Sequence, residues 1–221
     1  FTLLSKQHRK HIYMKRKIIL ALVFIVLISS GYITWQIFGP TIQAPEVKYF
    51  YIKNGEIYAN VKQALIDEKI ISSEYFFNLL AGRIKYPDRV KAGRYKIKNG
   101  MSLYNLLRML RSGNQSPVNL VITKLRTKED LAQKIAANFE CDSASFMQQL
   151  NNPKTWQQFQ IDSNNILTSV IPNTYSIFWN STANKILEKL HAASVKFWNE
   201  GRLSKARVLN LSPQQVYTMA S

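Results

Sequence analysis

Ile18 to Phe38 is an apolar run without a formal charge. As a helix rising about 1.5 Å per residue it would cover the roughly 30 Å hydrocarbon core of a bilayer. Beyond it the hydrophobic period shortens. Lys48-Tyr49-Phe50-Tyr51-Ile52 reads as a strand and Lys53-Asn54-Gly55 as the turn that ends it. Asn60 is then placed to cap an amphipathic helix through Ile66, with Val61, Ala64 and Leu65 on its apolar side. Arg94 to Ile97 followed by Lys98-Asn99-Gly100 repeats the strand and turn, and both copies contain Ile-Lys-Asn-Gly. Ser102 comes next, with a helix burying Leu103, Leu106, Leu107 and Leu110. Between the copies Ser73 opens a helix from Glu74 to Ala81 that stops at Gly82.

A weaker third copy runs from Asn119 to Thr123 into a helix capped by Thr127. Asp130 sits at the third helical position, and Leu131, Ile135 and Ala136 face inward. Strand-to-helix units this short cannot bury their apolar faces alone, so an α+β packing is expected. From Asp142 the composition turns to Gln and Asn, with helices expected over Ala144–Leu150 and Ala183–Trp198. The stretch Ile166 to Trp179 between them is β-branched, aromatic and punctuated by Pro172. Last comes Ser212-Pro213-Gln214-Gln215: a capping hydroxyl, a proline at the first helical position and a glutamine able to close a capping box. Leu211 and Val216 can staple this start. No stop signal appears through Ser221, and Met14 precedes a basic cluster that would suit a natural start, so the chain is expected to be a fragment of a longer frame.

Charge changes the picture of the first helix. The net charge is +17, and residues 1 to 17 hold Lys6, Arg9, Lys10, Lys15, Arg16 and Lys17 with no acid. The positive-inside rule keeps such an N-terminus cytoplasmic and exports the chain beyond Pro40. A cleaved signal peptide is the rival, with Ile18 to Ile28 as its apolar region and Ser29-Ser30-Gly31 as its cleavage region. Tyr32, Trp35 and Phe38 carry the apolar character past that point and favour an anchor. The exported part is still basic, with charges scattered along it, which suits either a solvated basic face or attraction to anionic lipid or wall polymer better than a nucleic-acid reader. Cys141 is the sole cysteine, so no intrachain disulfide forms, and His8, His11 and His191 are too dispersed for a zinc site.

Catalytic hardware is sparse. After residue 150 the carboxylates are Asp162, Glu188 and Glu200. Glu188 and His191 lie three apart on one helix face, as an ordinary surface helix would also place them, and Glu200 reads as sitting where a helix ends. No Gly-rich phosphate loop, serine nucleophile motif or metal-ligand cluster is present.

Ile171-Pro172-Asn173-Thr174-Tyr175, then Phe178-Trp179-Asn180, Phe197-Trp198-Asn199-Glu200 and Leu211-Ser212-Pro213 running into Tyr217 to Ser221 resemble the endolytic murein transglycosylases, the MltG or YceG-like family. Ala92 to Ile97, Asn99 to Leu103 and Leu110 to Gly113 resemble that family's LysM-like segment. The resemblance runs from residue 14 to 221 and implies a basic cytoplasmic N-terminus (1–17), a transmembrane helix (18–38), a linker (39–46), a LysM-like α+β module (47–118) and the first part of an α+β catalytic domain (119–221). It also implies non-hydrolytic cleavage of peptidoglycan glycan strands to 1,6-anhydro-N-acetylmuramic ends in cell wall assembly, with no metal or organic cofactor. The family's catalytic glutamate belongs three positions beyond Ser221, so this chain is expected to lack its acid and to be inactive. Two departures, Thr123-Lys124-Leu125 where Pro-Glu-Gly is common and Leu167-Thr168 where Glu-Gly is common, leave no second acidic site residue to carry over.

Within this sequence Asn173, Thr174 and Tyr175 are the candidate substrate-binding residues. An amide and a hydroxyl can bond sugar groups, and a tyrosine can stack on a pyranose. Equally open is a turn whose polar side chains bond their own backbone, with Tyr175 in the core. The implied partners are peptidoglycan glycan strands and a membrane crossed once. Peptidoglycan synthases are candidate protein partners, and nucleic acid is not. A non-catalytic, membrane-anchored peptidoglycan-binding protein is the competing function.

Overall fold

The computed structural model describes the backbone of residues 2–45, 48–159 and 166–220, with side chains from residue 15 onward. It is a mixed helix-and-strand protein with two small sheets. Asp162, Ser221 and the side chains of the basic residues before Lys15 lie outside the described residues. The chain divides into two compact units, one of Phe1–Tyr49, Ile57–Val90 and Lys96–Ser112, the other of Phe50–Glu56, Lys91–Tyr95 and Gly113–Ser221.

In the first unit, helix α1 (Thr2–Phe38) contains the stretch Lys15–Phe38, long and apolar enough to cross a membrane and with no residue of its apolar window buried. The chain then turns at Gly39-Pro40 and is tied in at once. Ile42 N–H donates to the Met101 carbonyl at 3.0 Å, its own carbonyl accepts from Gly100 N–H at 3.0 Å, and its side chain is buried. Strand β1 (Lys48–Ile52), which passes from the first unit into the second at Phe50, ends in the first Ile-Lys-Asn-Gly turn, where Gly55 has φ +80°, a conformation that glycine adopts without a Cβ clash.

Helix α2 (Tyr58–Asp67) starts two residues ahead of the expected cap at Asn60. Glu56 N–H donates to the Lys53 carbonyl, so the chain leaves the turn already wound, and Tyr58 packs against Phe77 and Tyr86. Ile57 takes the capping position with no side-chain bond, and Asn60 falls inside the first turn. Helix α3 (Glu74–Arg83) is capped by Ser73 as expected, and it runs through Gly82 to Arg83. Strand β2 (Gly93–Ile97) pairs with β1 and ends in the second turn, where Gly100 has φ +72°. Ser102 then accepts from Asn105 N–H, and helix α4 (Leu103–Ser112) buries the four expected leucines.

The second unit is built on strand β3 (Val118–Ile122), and here the third copy departs from the first two. Its strand pairs antiparallel with β4 (Asn173–Ile177), placing Val118 opposite Ile177 and Ile122 opposite Asn173. Alternation puts Val118, Leu120 and Ile122 inside with Tyr175 and Ile177. Helix α5 (Lys128–Asn138) carries the complete Thr127/Asp130 capping box, although Ala132 rather than Ala136 joins Leu131 and Ile135 in the core. Helices α6 (Ser143–Leu150), α7 (Pro153–Phe159) and α8 (Ala183–Phe197) close that core with Phe146, Leu150, Ile186, Leu187 and Leu190.

Glu200 does not end a helix. Asn199 accepts from Arg202 N–H at 3.1 Å and starts a new one, α9 (Glu200–Val208). Helix α10 (Pro213–Ala220) opens with the expected box: Gln215 N–H donates to Ser212 Oγ at 3.2 Å, and Ser212 N–H to Gln215 Oε1 at 2.8 Å.

Candidate functional site

A groove of about 700 Å³ runs through the second unit. One wall is the segment after β3, Thr123 to Leu125, and another is Ile171-Pro172 just before β4. The end of α8 contributes Phe197 and Trp198, helix α9 contributes Arg202, Lys205 and Ala206, and α10 contributes Val216, Tyr217 and Ala220.

Two tyrosines fix the Val170-Ile171 wall. The Tyr175 hydroxyl donates to the Ile171 carbonyl, and the Tyr217 hydroxyl donates to the Val170 carbonyl at 3.2 Å. Burial, and to a lesser degree the neighbouring Tyr217, pushes the Tyr175 phenol up to about 12; burial raises Tyr217 as well. Both therefore stay protonated donors at neutral pH. Arg202 is held over the Phe197 ring, 4.2 Å from its centroid, while its Nη1 donates to the Phe197 carbonyl at 2.7 Å. Among the described residues the groove has basic side chains in Lys124, Arg202 and Lys205 and no carboxylate.

Trp198 also borders a smaller pocket, about 520 Å³, with Phe159, Ser169, His191 and Gln214. The His191 ring stacks on Phe159 with centroids 4.8 Å apart, and its Nδ1 is buried with no hydrogen-bond partner among the described residues. Burial lowers its pKa, so it is neutral at physiological pH. Glu188 accepts from Asn184 Nδ2 at 2.6 Å and Gln158 Nε2 at 3.5 Å. Glu200 is exposed and pairs with Arg207 at 3.1 Å. Among the described residues no three His, Cys, Asp or Glu side chains gather as a metal site.

The three expected binding residues part company. Tyr175 is 3% exposed and sits in the core, so its ring has no free face, and the segment it belongs to is strand β4 and not a turn. Asn173 and Thr174 are exposed on β4, and Asn173 Oδ1 accepts from Thr174 N–H at 2.7 Å. They come directly after the wall residues Ile171 and Pro172 and do not themselves line the groove. Sequence reasoning did not single out Arg202, Lys205 or Tyr217. The signal for the first two was Asn199, a capping residue with Glu after it, which implies a helix and hence a face for both.

The profile of the YceG-like family matches residues 50–221. A crystal structure of a protein described as yceG-like, from Listeria monocytogenes, shares 18% identity and a TM-score of 0.41, covering 77% of this chain and 61% of that one. The chain thus spans about three-fifths of that protein's length. No curated protein matches the sequence.

Proposed function

Because this chain belongs to the YceG-like family, we propose that it is the anchored, substrate-holding part of a peptidoglycan lytic transglycosylase. Helix α1 crosses the cytoplasmic membrane once with the basic N-terminus inside, residues 47–118 act as a LysM-like glycan-binding module, and the groove of the second unit receives the strand. One observation carries the catalytic part. The face of α10 that borders the groove bears Val216, Tyr217 and Ala220. On a continuing helix the position three beyond Ser221 is four residues past Ala220 and seven past Tyr217, so it shares that face. The glutamate that the family pattern expects there would project into the groove, whose apolar walls raise a carboxyl pKa while Lys124, Arg202 and Lys205 oppose that rise.

In the proposed reaction that glutamic acid gives its proton to the glycosidic oxygen as the C1–O bond of N-acetylmuramic acid breaks. The resulting carboxylate takes the proton of the same sugar's 6-hydroxyl as that oxygen bonds to C1 and closes the 1,6-anhydro ring. The nucleophile comes from the substrate, so one carboxylate serves both steps, unlike the carboxylate pair of a hydrolytic glycosidase. Asn173 and Thr174 are accessible beside the wall and hydrogen-bond sugar N-acetyl and hydroxyl groups.

The test uses the full reading frame incubated with purified glycan strands and analysed by mass spectrometry. Anhydro ends should form, and Glu→Gln at the third position past Ser221 should abolish them; a frame with no glutamate within a turn of that point would sink the catalytic reading. The groove's lack of a carboxylate among the described residues favours, for this stretch alone, the second reading of a peptidoglycan-binding protein. Residues 1–221 should pellet with cell-wall sacculi without cutting them.

A further inference from the structure

Helix α1 is locked to the first unit by rings near its C-terminal end. Tyr32 meets Phe76 of α3 edge-on with centroids 5.9 Å apart, and Phe38 meets Tyr104 of α4 at 5.4 Å. The segment after the helix is bonded rather than loose: besides the Ile42 pair, Gln43 N–H donates to the Ile70 carbonyl at 3.2 Å and Ser72 Oγ to the Thr41 carbonyl at 3.0 Å. A helix held this way sets the height of the unit above a bilayer.

That height can be worked out from the helix rise. If the apolar run beginning at Ile18 fills the hydrocarbon core, Phe38 reaches its far edge and Tyr32 lies about 9 Å below it. An ordinary tilt of roughly 20° shortens this by less than an ångström. Phe76, in contact with Tyr32, therefore cannot stand clear of the headgroup layer. Shifting the whole helix outward by a headgroup layer of roughly 5–8 Å still leaves it at the acyl boundary.

The exposed side of α3 has the chemistry for that depth. Tyr75 is 70% exposed and Leu79, one turn on, is also exposed; Arg83 lies a turn later. An aromatic, an aliphatic and a basic side chain along one stripe suit the boundary between acyl chains and headgroups, where tyrosine is enriched and arginine reaches out to phosphate. Glu74, the carboxylate beside the stripe, is tied to Lys62 at 2.6 Å. On α1 the exposed rings of Tyr32, Trp35 and Phe38 continue the same belt.

We propose that α3 is a membrane-contacting helix whose Tyr75–Leu79 face enters the lipid headgroup layer, so that the first unit is docked on the bilayer and not tethered above it. The inference rests on the anchored reading of α1. Docking fixes how far from the membrane the first unit can handle a strand.

Spin labels in phospholipid vesicles separate the two claims. On a Cys141→Ser background, Tyr75→Cys and Ile28→Cys are labelled one at a time in the full chain and read with oxygen and a nickel chelate. Tyr75 is 70% exposed but its ring meets Phe76 edge-on at 5.3 Å, so the fold of the Tyr75→Cys protein is checked by circular dichroism before labelling. The label at 28 should prefer oxygen several-fold, and the one at 75, at headgroup depth, should prefer it only slightly while being less open to the chelate than a label in water. A label at 28 in lipid with the label at 75 preferring the aqueous chelate would overturn the docking and leave the anchor standing. Chelate preference at both positions would overturn both. As a second variant, Tyr32→Ala and Phe38→Ala, which remove both ring contacts, combined with a flexible Gly-Ser insertion after Gly39 should move the label at 75, and not the one at 28, toward the chelate; an unmoved label at 75 in that variant would show that α1 does not set its depth.

Discussion

The two units close their cores differently. In the first, α2, α3 and α4 each bury a substantial face, with Leu65, Phe77, Leu106 and Leu107 completely out of solvent. In the second, the β3–β4 sheet with α5, α6 and α8 is equally well filled, but α9 buries only Ala206 and α10 buries nothing. Val208 and Met219, large apolar residues of these last helices, are 82% and 77% exposed. The groove is thus walled on one side by a filled core and on the other by helices with little burial to hold them. Polar devices do that work: two capping residues, the Tyr217 hydroxyl on Val170, and Arg202 stacked on Phe197.

The largest break in this comparison comes from the filled side. Phe146→Ala removes a fully buried ring and should cost about 3–5 kcal/mol. Chemical denaturation should show the loss, whereas Met219→Ala should leave the midpoint unmoved. Equal effects from the two would mean that α10 is packed as firmly as the core.

Next comes the wall itself. Tyr175→Phe keeps the ring in the core and deletes the donor to the Ile171 carbonyl, a cost of about 1–3 kcal/mol if that oxygen stays buried and unpaired. Tyr217→Phe deletes the part-buried bond to the neighbouring Val170 carbonyl and should cost less, about 0.5–1.5 kcal/mol. A larger loss from Tyr217 would show that α10, and not the sheet, positions Val170 and Ile171.

How much of this was legible in the residues divides along the same line. Several features coded locally were readable, although the local cap read at Asn60 was not the one used. Ser212-Pro213-Gln214-Gln215 and Thr127 with Asp130 each specify a cap within four residues, and both boxes form. The two Ile-Lys-Asn-Gly copies each fold to a turn with glycine at positive φ. Nonlocal choices were not. Nothing near Asn119 says that its strand will pair with Ser176, far along the chain, instead of forming a third copy of the first motif. Helix α9 was hidden because Gly201 and Asn199, both common at helix ends, flank Glu200; only the direction of the Asn199 bond, forward to Arg202, distinguishes a start from a stop. Of the Pro-Asn-Thr-Tyr stretch, Pro172 alone lines the groove. Which of the stretch's side chains point inward depends on the β3–β4 register, and that register puts Tyr175 opposite Leu120 in the core.

A smaller effect tests how α10 is held. Ser212→Ala removes the acceptor for Gln215 N–H and should cost about 1 kcal/mol. Because α10 buries little, the loss should appear as faster amide hydrogen exchange within Gln215 to Ala220, while the core strands keep their protection. Faster exchange across β3 and β4 as well would mean that the helix and the sheet unfold as one unit.

The smallest effect is a pH slope at the second pocket. The His191 pKa in the folded protein lies below the ordinary value of 6.5 because burial disfavours the imidazolium. As pH falls through that value the unfolded chain takes up a proton that the folded one does not, so stability is complete above it and declines below it until the folded pKa is reached. His191→Phe preserves the stack on Phe159, removes the unpartnered Nδ1 and abolishes this titration. Its melting temperature should equal or exceed the parent's at pH 8, and the difference should widen on acidification below about pH 6.5. A difference constant with pH would show that solvent reaches His191 freely, and that the pocket beside Trp198 is no more closed than the groove.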